Sequence, residues 1–269
     1  MGYVIKLKNK IAIIGPYPLP YGGISVHVQR VVAQLENKKN IEFDFYNETR
    51  NSFYKQACYN FSSNAGKFIS LLRLLFYPYC LIHHHSPDLN IRIVLSLFGF
   101  LGKNIYLHIH GASLKDSLDS GIRGKLLKKL LKYVHILADN NEIGRLAKEN
   151  EAKTVTILDA FIPPVYNETY FMEFNNKYKF ITTNYDLVIG MVGWFAYYNR
   201  EDLYGFDLLI KAVRILKHKY KISIIVSVNG IIEKKLHDEF IRDIKKYNLE
   251  DNFCLIYENL QEIWPIYII

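Results

Sequence analysis

What most constrains this chain is a repeating alternation: a short apolar run ending in a Gly, His or other small or polar residue, followed by a segment with helical spacing. Residues 10–15, KIAIIG, form the first run, closed by Gly15-Pro16. After the loop PYPLPYGG, the stretch ISVHVQRVVAQLEN places Val28, Val31, Val32 and Leu35 on one face of a helix. The order is therefore strand, glycine-rich loop, helix. IEFDFYN (41–47), LIHHH (81–85), NIYLHIHG (104–111) and HILADN (135–140) are further β-prone runs. Strands that alternate with helices bury both faces as a parallel sheet with helices on either side, so the expected class is α/β.

The alternation pauses once. TVTILDAFIPP ends in Pro163-Pro164, and Tyr166 to Asn184 is polar and aromatic without a period, so a first Rossmann-like domain is expected over 1–180. From Leu187 the pattern restarts with LVIGMVG, FDLLIKAVRILKHKY, ISIIVSVNG, KKLHDEFIRDIKKYN and FCLIYEN, giving a second Rossmann-like domain over 186–269. That span is shorter than the ~100–150 residues of a full domain. The second half is therefore expected to be incomplete, stopping at LQEIWPIYII.

Half of the residues are hydrophobic and 22% charged, which excludes a disordered class. Lys6, Lys8 and Lys10 precede an apolar run of only Ile11 to Ile14, short of the roughly 7–15 residues of an export signal. Phe68–Ile82 and Ile91–Leu101 are interrupted or too short against the ~20 residues of a spanning helix, and read as core helices. Cys58, Cys80 and Cys254 lack the spacing of a disulfide framework or a zinc site. A cytoplasmic protein is expected.

A net charge of +8 favours anionic partners, but charge alone does not choose among nucleotide diphosphates, lipid headgroups and nucleic acid. Arg123–Ile136 reads as an amphipathic helix with Lys125, Lys128, Lys129 and Lys132 opposite its leucines. Such a helix suits peripheral contact with an anionic membrane, at ~1 kcal/mol per basic residue near the surface. Nucleic-acid binding rests on charge alone and is not expected.

Gly22-Gly23 lets a backbone approach closely ahead of a helix N-terminus, where N–H groups can meet phosphate oxygens; an ordinary tight turn gives the same pattern. His110 ends a predicted strand, at the edge where open α/β sheets place ligands, and His108 points the same way. A packed, hydrogen-bonded histidine is the plainer alternative. In the triplet His83-His84-His85 adjacent residues alternate faces and cannot all grip one ion, so no metal site is expected.

KIAIIGPYPLPYGGISVHVQRVVAQL resembles the first strand, loop and helix of the retaining family-4 glycosyltransferases, and NIYLHIHG resembles the strand that carries their active-site histidine. ILADNNEIGRLAKE, VTILDAFIPP and GMVGWFAYYNREDLYGFDLLIKAVRIL are similar to later segments of that family in the same order. The resemblance implies a GT-B fold of two Rossmann-like domains, truncated in its donor-binding half. It implies transfer of a sugar from a nucleotide-diphosphate donor, as substrate rather than cofactor, to a polysaccharide, lipopolysaccharide or lipid-linked saccharide acceptor. Catalytic His110 and donor-binding Gly22, Gly23, Gly193, Arg200, Tyr204 and Gly205 follow from it. Two positions depart: the family's diphosphate-binding Arg and Lys correspond to Trp194 and Tyr204, neither of which is cationic. A truncated, inactive remnant or an acceptor-binding module is the alternative expectation.

Overall fold

The computed structural model describes residues 10–18, 22–49, 58–159, 161–164, 167–182 and 184–257. Lys6, Lys8, residues 19–21 of the glycine-rich loop and the terminal segment LQEIWPIYII lie outside the described residues. The chain divides into two compact units, Met1–Val165 and Tyr166–Ile269.

In the first unit the elements run β1 (Lys10–Gly15), α1 (Gly23–Glu36), β2 (Glu42–Asn47), β3 (Cys58–Asn60), α2 (Asn64–Phe76), β4 (Leu81–His84), α3 (Leu89–Phe100), β5 (Ile105–Ile109), α4 (Ser113–Leu118), α5 (Gly121–Leu130), β6 (His135–Ala138), α6 (Asn141–Glu149) and β7 (Thr154–Ile157). The strands form one sheet in the order β3-β2-β1-β4-β5-β6-β7. Every described pairing in it is parallel. Ile13 packs with Val28, Val32 and Phe45 on the α1 side. Ala12 and Ile14 join the larger core on the other side. The side-chain alternation of a strand thus feeds two cores, which is why β1 is apolar along its length.

The second unit contains α7 (Glu168–Thr182), β8 (Leu187–Phe195), a hairpin of β9 (Tyr197–Tyr198) and β10 (Glu201–Asp202), α8 (Phe206–Leu216), β11 (Ile222–Ile231), α9 (Lys234–Lys246) and β12 (Phe253–Ile256). Its sheet is parallel, in the order β12-β11-β8, and smaller than the first. The α/β class and the two separate parallel sheets agree with the sequence expectation.

Three local expectations are corrected. Residues 166–180, assigned on sequence to the first domain, belong to the second unit: Phe174 and Tyr178 of α7 pack with Ile225 and Ile256. The basic helix ends at Leu130, not Ile136, because a 3-10 turn over Leu131–Tyr133 leads directly into β6. Its lysines are exposed, but so is Leu126. Finally, α3 is a core helix as expected, whereas α2 exposes Phe68, Ile69, Leu72 and Phe76 and buries Ser70 and Leu74. No helix among the described residues is long and apolar enough to cross a membrane.

Candidate active site

In the first sheet the strand order reverses between β1 and β4. Connections leave these two neighbours in opposite directions, opening a crevice beyond their carboxyl ends, the place where open α/β sheets bind ligands. Three candidate segments meet that edge. Gly22 and Gly23 follow β1 and start α1, His85 follows β4, and His110 follows β5.

The segments are held together by main-chain and side-chain bonds. His85 N donates to Ile14 O at 2.9 Å, extending the ladder past the end of β4. Gly15 makes the approach feasible, since a Cβ there would lie 2.9 Å from Val28 Cγ2 and 3.2 Å from His85 Cβ. After His110 the chain turns through Gly111 at φ +55°, a left-handed conformation that favours glycine. The Gly111 N–H donates to Asp139 Oδ2 at 2.8 Å, which ties this turn to the end of β6.

His110 sits in a cluster of imidazoles. Its ring stacks on His108 at 4.4 Å and meets His27 of α1 edge-on at 4.8 Å. Its Nε2 lies 3.4 Å from His85 Nδ1. Burial, with His27, His83 and Arg92 nearby, pushes His110 down to about 3. Burial and neighbouring imidazoles likewise lower His83 and His108 to about 3 and hold His85 well below its usual value. At neutral pH these rings are uncharged, so His110 acts as a neutral hydrogen-bonding group and not as a cation. Within the triplet 83–85, His84 diverges from its neighbours toward Glu48 at 3.9 Å, as strand alternation requires. Alternation within the triplet carries no sign of the convergence of His27, His85, His108 and His110, which come from separate elements.

Arg92 braces this edge from α3 and was not singled out on sequence, where it is one more basic residue in an apolar helix. It is 1% exposed. Its Nε donates to Ser86 O at 3.2 Å, Nη1 to Ser113 O and Ser117 Oγ at 2.8 Å each, and Nη2 to Ser113 Oγ at 2.9 Å. One side chain thus joins the segment after His85 to the helix after His110. Burial lowers its pKa to about 10, so it stays charged at pH 7.

The helix N-termini of the two units differ. At α1, Gly22 is extended (φ −155°) and its N–H donates to Ser25 Oγ at 2.9 Å. No acidic residue lies in the first turn, and among the described residues a Cβ on Gly23 would meet nothing within 4 Å. This end carries the partial positive charge of a helix N-terminus with no acidic side chain of its first turn to offset it. At α8, Gly205 caps the helix at φ +73°, and Asp202 has taken the vacant donors: its carboxylate accepts from the N–H groups of Tyr204 at 3.1 Å, Gly205 at 3.1 Å and Asp207 at 3.2 Å. The Tyr204-Gly205 turn, expected to meet a phosphate, is thus already occupied by an anionic side chain. Tyr204 instead covers Gly193, where a Cβ would lie 2.8 Å from the Tyr204 ring. Arg200 is exposed at the tip of the β9–β10 hairpin, with Asn199 and Arg200 both left-handed as a two-residue hairpin turn requires.

Two cavities bear on ligands. One, of about 320 Å³, begins at Gly111 and Ala112 and runs between α4 and α6, with Lys115, Asp119, Asn140 and Arg145 on its wall. The other, of about 750 Å³, lies among Lys211, Arg214, Lys217 and Tyr247 at the carboxyl ends of α8 and α9. Those helix ends lead into the amino ends of strands, the edge that ligands avoid in such sheets.

No protein-family model matches the sequence, and no curated protein matches it. Solved structures do match the fold. A glycosyltransferase from Rickettsia africae ESF-5 is 16% identical over 97% of this chain and 71% of its own, with a TM-score of 0.54. The UDP-GlcNAc 2-epimerase from Neisseria meningitidis bound to UDP-GlcNAc is 11% identical over 96% of this chain and 74% of its own, with a TM-score of 0.57. An E. coli trehalose-6-phosphate structure bound with UDP-2-fluoro glucose is 11% identical over 96% and 75%, with a TM-score of 0.53. These likenesses show the fold: two Rossmann-like α/β units of the GT-B type, the second of them small.

Proposed function

We propose that this chain is a nucleotide-sugar glycosyltransferase of the retaining family-4 kind, moving a sugar from a nucleoside diphosphate to a saccharide or lipid-linked saccharide acceptor. The observation that carries the reading is the switch-point crevice, where an α1 N-terminus with no acidic residue in its first turn and the neutral His110 share one sheet edge. Transfer leaves negative charge on the departing diphosphate, and backbone N–H groups fixed ahead of a helix stabilise such charge without reorganising. Gly22 and Gly23 are assigned to the donor phosphate and His110 to the donor sugar. The cavity that opens at Gly111 offers both acids and bases for sugar hydroxyls. In the second unit Gly193, Arg200, Tyr204 and Gly205 are retained as donor-side candidates, with Arg200 as their exposed cation. Two of the fold neighbours were solved with UDP-sugars bound, which supports the donor class.

A second reading, an acceptor-binding protein without transfer, is favoured by the Asp202 carboxylate on α8 and by Trp194 and Tyr204 in place of cations. The test is incubation of the full chain with a panel of nucleotide sugars, following donor consumption and the anomer of any product. Consumption that falls about a hundredfold or more in His110→Ala supports transfer. An inverted product removes the retaining assignment, and conversion of the donor into its epimer removes transfer itself. Oligosaccharide binding with no nucleotide affinity establishes the second reading.

A further inference from the structure

We propose that His27, His85, His108 and His110 form a binding site for one divalent transition-metal ion of the Zn²⁺ or Co²⁺ type. The four come from three separate elements and their ends, namely α1, the end of β4, and β5 with the residue after it. One ring nitrogen from each can be chosen so that all four lie within 4.8 Å of one another. A tetrahedral ion with bonds of about 2.0–2.1 Å sets its ligand nitrogens about 3.4 Å apart. His85 Nδ1 and His110 Nε2 already stand at that separation, 3.4 Å. The widest gap must close by about 1.4 Å, a shift that small χ rotations of the four rings supply.

The donor chemistry is specific. Four imidazoles with no carboxylate among them suit zinc, cobalt, nickel and copper, and offer nothing to magnesium or calcium, which take oxygen. The cluster also leaves polar atoms wanting. His85 Nε2 and both ring nitrogens of His108 are shielded from solvent with no hydrogen-bond partner, whereas buried polar atoms are almost always bonded. An ion supplies partners that the protein does not. His110 is the least buried of the four and gives the way in. Among the described residues no carboxylate bonds the rings of His85, His108 and His110 from outside, and such outer partners are worth about 10–100-fold in affinity, so micromolar binding is expected.

The site shares His110 with the proposed transfer reaction, so a bound ion withdraws that ring from a donor sugar. Metal binding itself needs no nucleotide, and it is measured without one, so its failure leaves the transferase reading standing. The untagged full-length chain is stripped with a chelator and titrated with Co²⁺ and then Zn²⁺, following visible absorption and calorimetry. The expected result is one ion per chain, the intense visible bands of four-coordinate cobalt, and displacement by zinc. His85→Ala and His108→Gln are each expected to weaken binding at least tenfold, while His218→Ala, an exposed histidine of the second unit, leaves it unchanged. Circular dichroism checks that the variants fold; if one does not, the wild-type cobalt spectrum and the other variant decide. No saturable binding below about 100 µM, a weak six-coordinate cobalt spectrum, or binding retained in both cluster variants overturns the proposal.

Discussion

Replacing Gly23 by alanine separates a structural role of the glycine from a ligand-binding one. Gly23 opens α1, does not have a positive φ, and has no described atom within 4 Å of where a Cβ would project. Among the described residues nothing therefore requires glycine there. Alanine narrows the unfolded ensemble and favours the helix, a gain of about 0.4–1 kcal/mol. For a unit spanning Met1–Val165, with unfolding entropy of about 0.35 kcal/mol per kelvin, the thermal midpoint rises by about 1–3 °C. If a diphosphate approaches the first N–H groups of α1 there, the same methyl stands in its way. Loss of one backbone hydrogen bond to an ionised oxygen costs about 1.5–3 kcal/mol, or about 10–150-fold in Kd. Differential scanning fluorimetry and calorimetry with UDP and ADP read the two effects separately. A variant that is no less stable but binds nucleotide diphosphate tenfold or more weakly meets the expectation. Unchanged nucleotide affinity in a folded Gly23→Ala chain would refute the phosphate assignment, and a destabilised one would refute the packing argument.

The remaining predictions address the supports around the site. Arg92→Met removes four hydrogen bonds and leaves Ser86 O and the Ser113 hydroxyl without that donor, while Ser117 Oγ still donates to Ser113 O; it is expected to cost about 3–5 kcal/mol by urea unfolding, and Arg92→Lys, lacking the planar fork, recovers only part of this. Asp202→Ala removes the carboxylate at the N-terminus of α8, costing about 1 kcal/mol in stability, and uncovers the N–H groups of Tyr204 and Asp207, while that of Gly205 keeps the carbonyl of residue 202, so phosphate affinity of the chain rises; equal affinity in both proteins, measured by calorimetry, contradicts that expectation. The Asp44 carboxyl, 2% exposed, is pulled upward by burial but more strongly downward by Lys10 at 2.6 Å, Tyr79 and Arg73 at 3.2 Å, for a net position below its ordinary 3.8. Its stabilisation is fully present above the unfolded value and is lost as pH falls through the lower folded one. Acid unfolding followed by circular dichroism below pH 3.8 is expected to be steeper in the wild type than in Asp44→Asn, and identical slopes would argue against a charged Asp44.

Much of the fold is written in local pattern. The parallel strands β1, β4, β5, β6 and β12 fall within runs whose apolar residues and polar ends are visible residue by residue, and β8 and β11 start with theirs and run past them to Phe195 and Ile231, because a strand buried on both faces must be largely apolar. Elements whose apolar residues do not repeat were illegible. Helix α7, the three-residue β3 and the β9–β10 hairpin carry mixed aromatic and polar side chains, and each is specified by what it packs or pairs with. The tip of that hairpin holds two non-glycine residues in left-handed conformations, which propensity alone disfavours.

For the site, sequence alone determined that Gly22, Gly23 and His110 stand at strand and helix ends, since an apolar run closed by glycine or a polar residue marks such an end locally. Only the tertiary structure decided which ends meet. Strand order brought β1, β4 and β5 side by side and with them four imidazoles spread over residues 27 to 110. It likewise brought Arg92 of α3 onto Ser113 and Ser117 of α4. Such convergence depends on contacts between segments far apart along the chain, and a one-dimensional period carries no record of them.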